Sequence, residues 1–174
     1  MSNEKTGRPA STGIMMSYGV GKFLAEFLTG GIASLVFKFY ETEIQLSSGL
    51  VALVIVLYSV WNAVNDPLIG FSAKLGRRFP WIILGSVTCG FVFFLVFAPP
   101  SGLSQLGLFL WFLVAICIYD ALYSTWELNY QSVFPDRFRS APERAKAAGI
   151  GTLIGVFGIA AGAVVPTFII KYGE

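Results

Sequence analysis

Five ionisable side chains fall inside stretches of this sequence that are otherwise apolar. They are Lys22, Glu26, Asp66, Asp120 and Glu127. An ionisable residue at the centre of a bilayer costs about 2.5 to 3.5 kcal/mol on insertion scales, and side-chain packing alone would not account for five such costs. Carboxylates on three different segments need water, a bound cation or a shared proton to be tolerated. The pattern predicts that these side chains line a protein interior or a water-filled cavity.

Helical spacing places these residues on common faces. Lys22 and Glu26 are four positions apart, so they share a face and can pair with each other. Asn62 and Asp66 have the same spacing, and Ser59 lies three positions before Asn62. Each of these two segments therefore presents one polar face, formed by Lys22 with Glu26 and by Asn62 with Asp66.

A third polar stripe runs along the segment that contains Asp120, Tyr123 and Glu127, which are spaced by three and four. This segment therefore presents a third polar face on an otherwise apolar helix. The alternative is that these polar groups only hydrogen-bond between helices or reach to the headgroups.

Composition indicates which elements must hold these residues. Apolar residues make up 55% of the chain and charged residues 13%, which is too apolar for a soluble protein of 174 residues. The chain has no His, and Cys89 and Cys117 fall in apolar runs, which excludes His-based catalysis and gives no sign of a metal site. We predict an all-α polytopic membrane protein, formed as one transmembrane domain over 1–174 behind a polar tail at 1–12. Its five spans are expected at about 14–39, 47–71, 81–98, 104–133 and 147–170.

Basic residues predict the orientation. Nine Lys and Arg lie in the N-terminal tail and in the second and fourth connections, whereas Lys38 and Lys171 are the basic residues expected on the opposite side. Cytoplasmic loops retain positive charge, so we expect a cytoplasmic N-terminus. The first apolar stretch lacks a cleavage pattern and is expected to remain as a membrane helix. In the second connection, Lys74, Arg77 and Arg78 are either a cytoplasmic gate or plain anchors.

The fifth span carries Gly151, Gly155, Gly158 and Gly162, which are separated by three or four positions. Small residues at this spacing allow two membrane helices to approach closely. We expect this helix either to pack tightly against a neighbour or to slide along it.

Several motifs, taken together, resemble one known family. They are "SYGVGKFLAEF" at 17–27, "WNAVNDPLIGF" at 61–71, "GRRFPWI" at 76–82 and "SVFPDRF" with "ERAKAAGI" between 132 and 150. Their order and content resemble the glycoside-pentoside-hexuronide:cation symporters of the major facilitator superfamily, the melibiose permease-like transporters. The resemblance implies that Glu26, Asp66 and Glu127 are the acids that surround a coupling cation and a sugar. On that basis we expect a cation or proton site formed by Glu26, Asp66, Asn62 and Glu127. We expect solute contacts from four further side chains, which are Lys22, Asp120, Tyr123 and Trp126.

The sequence also departs from that family. Asn62 stands where relatives often have a second aspartate, and the fifth helix lacks an Arg near its start. These departures favour coupling to H⁺, or no coupling, over coupling to Na⁺, and no other cofactor is expected. The resemblance implies two six-helix halves with the solute between them. About five helices of an N-terminal half are present, so we expect a second half, a second copy or a partner subunit.

These observations predict a secondary active transporter, or a half of one, that moves a sugar-like or other polar solute by alternating access. We expect no enzymatic activity and no nucleic-acid partner. One alternative is a non-transporting membrane subunit or scaffold. A further alternative is an intramembrane aspartyl protease that uses Asp66 and Asp120 as its two carboxylates.

Overall fold

The computed structural model describes residues 10–72 and 78–169, and within these ranges the chain is a bundle of helices. A π-helical turn at Phe39–Glu43 extends the first helix. In chain order the helices are α1 (Thr12–Lys38), α2 (Ser48–Ser72), α3 (Arg78–Val96), α4 (Gln105–Arg137) and α5 (Ala141–Ile169). Each is long and apolar enough to cross a membrane. The prediction of an all-α protein with about five spans is confirmed for the described residues.

The connection between α4 and α5 is shorter than the sequence suggested. The expected spans left 134–146 as a connection, whereas α4 continues to Arg137 and α5 begins at Ala141. The early start of α5 has a local cause. Ser140 Oγ accepts a hydrogen bond from the Glu143 amide at 3.3 Å, and Glu143 Oε2 accepts one from the Ser140 amide at 3.3 Å. This reciprocal capping box satisfies amide groups that a helix start leaves without partners.

Helix α4 is central to the bundle and packs against α2 and α3, while α1 packs along α5. Ring contacts fix the relative direction of α1 and α4. Tyr18 stacks on Tyr130 at 4.4 Å between centroids, and Tyr40 stacks on Phe112 at 3.8 Å. Residue numbers therefore increase along α1 in the direction in which they decrease along α4, so these two helices are antiparallel.

Glycines allow the backbones of α1 and α5 to approach each other. A Cβ atom added at Gly158 would lie 2.5 Å from the carbonyl oxygen of Phe23, and one added at Gly30 would lie 3.0 Å from that of Ile159. Distances below 3.0 Å to a backbone atom cannot be relieved by a side-chain rotation. The close packing predicted from the glycine spacing is therefore present at this interface.

The end of α1 is anchored by Tyr40, which is fully buried. Its hydroxyl donates to the carbonyl oxygen of Val96 at 2.6 Å, and its ring lies on Phe112. One side chain thus joins the ends of α1 and α3 and the beginning of α4, which sets the height of the three helices relative to one another.

Candidate functional site

The interface between α2 and α4 carries a hydrogen-bonded carboxylate, Asp120, which is 3% exposed. Its Oδ1 atom accepts from the Tyr58 hydroxyl at 3.1 Å and from Asn62 Nδ2 at 2.9 Å. Its Oδ2 atom accepts from Asn65 Nδ2 at 3.0 Å. Three neutral donors from one helix therefore hold an acid of the other helix, and they offset the cost of burying its polar oxygens.

A second carboxylate, Asp66, lies one helical turn after Asn62 on α2. Its Oδ1 atom accepts from the hydroxyl of Ser124 at 2.7 Å, and Ser124 is four positions after Asp120 on α4. Asp66 is only partly buried. The two aspartates thus follow the same helix interface at successive levels, and Asp66 is the more accessible of the two.

A cavity of about 400 Å³ opens between α1, α2 and α4. Its volume falls within the range of small-molecule sites. One end is polar, and Asn62, Asp66, Asp120, Ser124 and Glu127 line it. The other end, toward the Tyr40–Phe112 contact, is apolar and is lined by Ile32, Val36, Phe37, Ile55 and Ile116. The cavity is therefore graded from apolar to acidic along the bundle axis.

Tyr123 and Glu127 lie on the α4 wall of this cavity. The Tyr123 hydroxyl accepts a hydrogen bond from Thr29 Oγ1 of α1 at 3.0 Å. Gln131 Nε2, one turn further along α4, donates to Glu127 Oε1. The polar stripe predicted from the spacing of Asp120, Tyr123 and Glu127 thus faces one cavity together with Asp66.

Lys22 and Glu26 form the ion pair that their spacing allows, with 2.8 Å between Lys22 Nζ and Glu26 Oε1. The pair lies against α5, where a Cβ atom added at Gly155 would be 3.2 Å from Glu26 Cγ. Lys22 lines a second cavity, of about 290 Å³, between α1, α4 and α5. The structure therefore places Lys22 and Glu26 beside the 400 Å³ cavity rather than in its lining.

Trp126 does not reach either cavity lining. Its side chain is 1% exposed and packs against α3, where a Cβ atom added at Gly85 would lie 2.8 Å from Trp126 Cβ. The expected contact between Trp126 and a solute therefore has no counterpart in this arrangement.

The cytoplasmic gate expected in the second connection stays a prediction, because Lys74 and Arg77 lie outside the described residues. Arg78 begins α3, but its side chain is not described.

Sequence reasoning missed Tyr58, Asn65 and Ser124 as site residues. Each follows the helical spacing of a recognised site residue, since Tyr58 is four positions before Asn62 and Ser124 is four after Asp120. Ser59, which the spacing placed on this face, is exposed, and its hydroxyl donates to the carbonyl oxygen of Ile55 at 2.8 Å. The polar face of α2 thus includes Tyr58 and Asn65 beside Asn62 and Asp66, and it does not include Ser59.

The arrangement bears on which cations the site can hold. In the part of the chain that the structure describes, no three acidic side chains, cysteines or histidines converge closely enough to bind a metal ion. A cation beside Asp66 would need neutral oxygens as well, and hydroxyl and amide oxygens are suitable ligands for hard cations. Ser124 and Asn62 supply such groups within the same wall. Hydroxyl and amide groups therefore accompany the Asp66 carboxylate in the lining of this cavity.

Comparison with known proteins gives a consistent result. Residues 17–173 match the family described as MFS/sugar transport protein. Among curated proteins, a sodium-dependent lysophosphatidylcholine symporter of Mus musculus is 28% identical over 148 residues, which are 79% of this chain and 28% of that protein. The lactose permease of Lactobacillus helveticus is 26% identical over 160 residues, which are 87% of this chain and 24% of that protein.

A symporter of Synechocystis that is itself uncharacterised is 25% identical over 142 residues, which are 75% of this chain and 26% of that protein. The chain thus spans about a quarter of the length of these curated relatives.

Proposed function

This chain belongs to the MFS/sugar transport family of the major facilitator type, and from that membership we propose that it forms part of a secondary active transporter that couples a cation to a solute. It is an integral membrane protein with several spans, and its relatives are symporters. Binding a cation beside the carboxylates reduces their mutual repulsion and so favours solute binding, which is coupling in the thermodynamic sense. Alternating access would then carry both across the membrane.

The polar end of the 400 Å³ cavity carries the proposal. Asp66 and Glu127 line it from two helices, and Ser124 and Asn62 add neutral oxygens. This set favours Na⁺ as the coupling ion, because Na⁺ is a hard cation that accepts carboxylate, hydroxyl and amide ligands. The mouse relative is a sodium-dependent symporter, which also supports Na⁺. A proton is the alternative coupling ion.

The gradation of the cavity supports an amphipathic solute. A polar or positively charged head would lie beside Asp66 and Glu127, and an apolar segment would extend toward Val36 and Ile116. A disaccharide would place hydroxyl groups against the apolar end and would leave them without hydrogen-bond partners there. We therefore favour a single-chain amphiphile with a zwitterionic or cationic head over the sugar-like solute that the motifs implied.

Uptake into proteoliposomes tests both parts of this proposal. The full-length protein is reconstituted, and uptake of lysophosphatidylcholine and of lactose is compared in Na⁺ and in choline. We expect Na⁺-dependent uptake of the amphiphile. Asp66→Asn and Glu127→Gln should each lower it at least tenfold, because each removes a charged ligand. Glu41→Gln is the matched control, since Glu41 lies in the π-helical turn and bonds Ser48 rather than the cavity.

Each other outcome has a defined meaning. Uptake of lactose alone would contradict the amphipathic solute, and uptake driven by a pH gradient in choline would contradict Na⁺ as the coupling ion. Uptake that both carboxylate variants leave unchanged would contradict the site. A correctly assembled protein with no uptake would favour the scaffold alternative.

The protease alternative has little support, because Asp66 and Asp120 accept hydrogen bonds from different donors and no hydrogen bond joins them within the described residues.

A further inference from the structure

Asp120 is the most deeply buried acid of the described chain, and the proposed transport mechanism does not yet use it. We infer that Asp120 is a positioning residue. Its carboxylate holds the side-chain amide of Asn62 so that the carbonyl oxygen of Asn62, rather than its amino group, is directed toward a cation held beside Asp66. This inference rests on the proposed cation coupling and names the residue that orients one of its neutral ligands.

The first step of the argument is the direction of the hydrogen bonds. A carboxylate accepts hydrogen bonds and has no hydrogen to donate, so an Asn side chain that contacts it must present its amino group. Both Asn62 and Asn65 do so, at 2.9 Å and 3.0 Å from Asp120. Since the amide is planar, the orientation of Nδ2 also determines that of Oδ1. One acid therefore sets the rotation of two amides.

The second step is that a cation beside Asp66 needs the carbonyl oxygen of an amide as a ligand. Within the described residues the acids alone do not form a metal site, so a cation at Asp66 depends on neutral oxygens. Asn62 lines the same cavity end as Asp66, whereas Asn65 is 5% exposed and is not among the residues that line the cavity. An amide turned the other way would direct N–H groups at the cation and would repel it.

The third step distinguishes positioning from direct ligation. The Asp120 oxygens already accept three hydrogen bonds, two at Oδ1 and one at Oδ2, and the side chain is 3% exposed. Asp66 accepts one, from Ser124, and is more accessible. Asp66 is thus the carboxylate available to a cation, whereas Asp120 is engaged in holding its neighbours.

Na⁺ binding to the purified full-length protein tests the inference without a known solute. Na⁺ alone is titrated at constant ionic strength with choline as the replacement ion, and its apparent Kd is taken from calorimetry. Asp120→Asn keeps the shape of the side chain but brings an amino group that competes with the two amides. We expect this variant to weaken Na⁺ binding at least tenfold. Tyr58→Phe, which removes the third donor and leaves both amides in place, should change it less than threefold.

A double-mutant cycle separates positioning from structural support. Asn62→Ala should weaken Na⁺ binding, and in the double variant with Asp120→Asn the two losses should not multiply, because Asp120 acts partly through Asn62. Losses that multiply would overturn the inference. Equal thermal destabilisation by Asp120→Asn and Tyr58→Phe with unchanged Na⁺ affinity would show a purely structural role and would also overturn it.

Two further outcomes are informative. A wild-type protein without saturable Na⁺ binding contradicts the proposed coupling ion itself, whereas wild-type binding that Asp120→Asn leaves intact contradicts only this inference. If Asp120→Asn does not fold, Asp120→Glu keeps a carboxylate but displaces it by one methylene group from the Asn62 amide. We expect the folded Asp120→Glu variant to bind Na⁺ at least threefold more weakly than wild type, and unchanged binding would contradict the positioning role.

Discussion

Trp126 and Tyr123 are three positions apart on α4, and their surroundings give them different roles. The Trp126 ring is buried against α3 in the same apolar cluster as Phe93, and it meets Tyr123 edge-on at 5.6 Å between centroids. Tyr123 instead lines the cavity and bonds Thr29 of α1. At the scale of single residues, Trp126 therefore contributes to core packing, whereas Tyr123 lines the 400 Å³ cavity.

Trp126→Phe should lower the thermal stability of the protein and leave its apparent affinity for Na⁺ unchanged. The smaller ring leaves a void beside Gly85. Truncating a buried aromatic residue to alanine lowers the free energy of unfolding by about 3–5 kcal/mol, and we expect a smaller loss for phenylalanine. Thermal unfolding in detergent and Na⁺ titration measure the two quantities. Tyr123→Phe is the comparison, and we expect it to lower lysophosphatidylcholine uptake with little change in thermal stability. Weaker Na⁺ or solute binding by Trp126→Phe at unchanged stability would restore Trp126 to the site.

The sequence identified Asp66, Asp120 and Glu127, which line the cavity, but it also grouped Glu26 with them and did not give the exact face of α2. Spacing alone allowed a face through Ser59, Asn62 and Asp66, whereas in the structure Tyr58 and Asn65 accompany Asn62 and Asp66 at the interface with α4 and Ser59 does not. A serine hydroxyl can bond the carbonyl of its own preceding turn, as Ser59 does, so a serine in a membrane helix need not face the interior. The partner across the interface decides the rotation, and a single helix does not contain that information.

At the scale of whole helices, the best-defined contact is between α1 and α5. Gly158 and Gly162 of α5 approach the α1 backbone near Phe23 and Phe27 more closely than any side chain would allow. The small-residue spacing was visible in the sequence, but the identity of the partner helix was not. The early start of α5 was also missed, because its first turns contain Pro142, Glu143 and Arg144 and thus have the composition of a loop.

Gly158→Ala should destabilise the bundle, because the new methyl group would lie 2.5 Å from the Phe23 carbonyl oxygen and would force α1 and α5 apart. Gly149→Ala is the matched control on the same helix, since a Cβ atom there meets nothing within 4 Å. Replacing that glycine should stabilise α5 by about 0.5–1 kcal/mol through helix propensity. Thermal unfolding measures both variants. A Gly158→Ala protein as stable as wild type would show that the two helices separate without cost.

At the scale of the whole molecule, the outer surface of the bundle is apolar and suits a bilayer. Large side chains such as Phe91 and Phe94 of α3 and Phe157 of α5 are each 70% exposed. Charges instead concentrate at the helix ends. The connection between α3 and α4 has none, whereas Arg137, Arg139, Arg144 and Lys146 surround the junction of α4 and α5. We expect the charged end to be cytoplasmic.

Cysteine labelling tests this orientation. In a protein with Cys89→Ala and Cys117→Ala, a cysteine introduced at Ser101, which is exposed between α3 and α4, should react with a membrane-impermeant maleimide in intact cells. A cysteine introduced at Arg139 should react only after the cells are permeabilised. The reverse pattern would invert the orientation and would place the N-terminus outside.

The contact between Ala10 and Glu143 has a consequence for biosynthesis. The amide of Ala10 donates to Glu143 Oε1 at 2.7 Å across 133 positions of the sequence, and α1 and α5 pack together beyond it. At about 5–20 residues per second, a ribosome needs roughly 7–27 s to extend the chain from one to the other. During that interval the glycine face of α1 has no α5 to cover it. Lipid or the insertion machinery must shield it, so the moment at which α5 leaves the ribosome sets the earliest time at which this bundle can close.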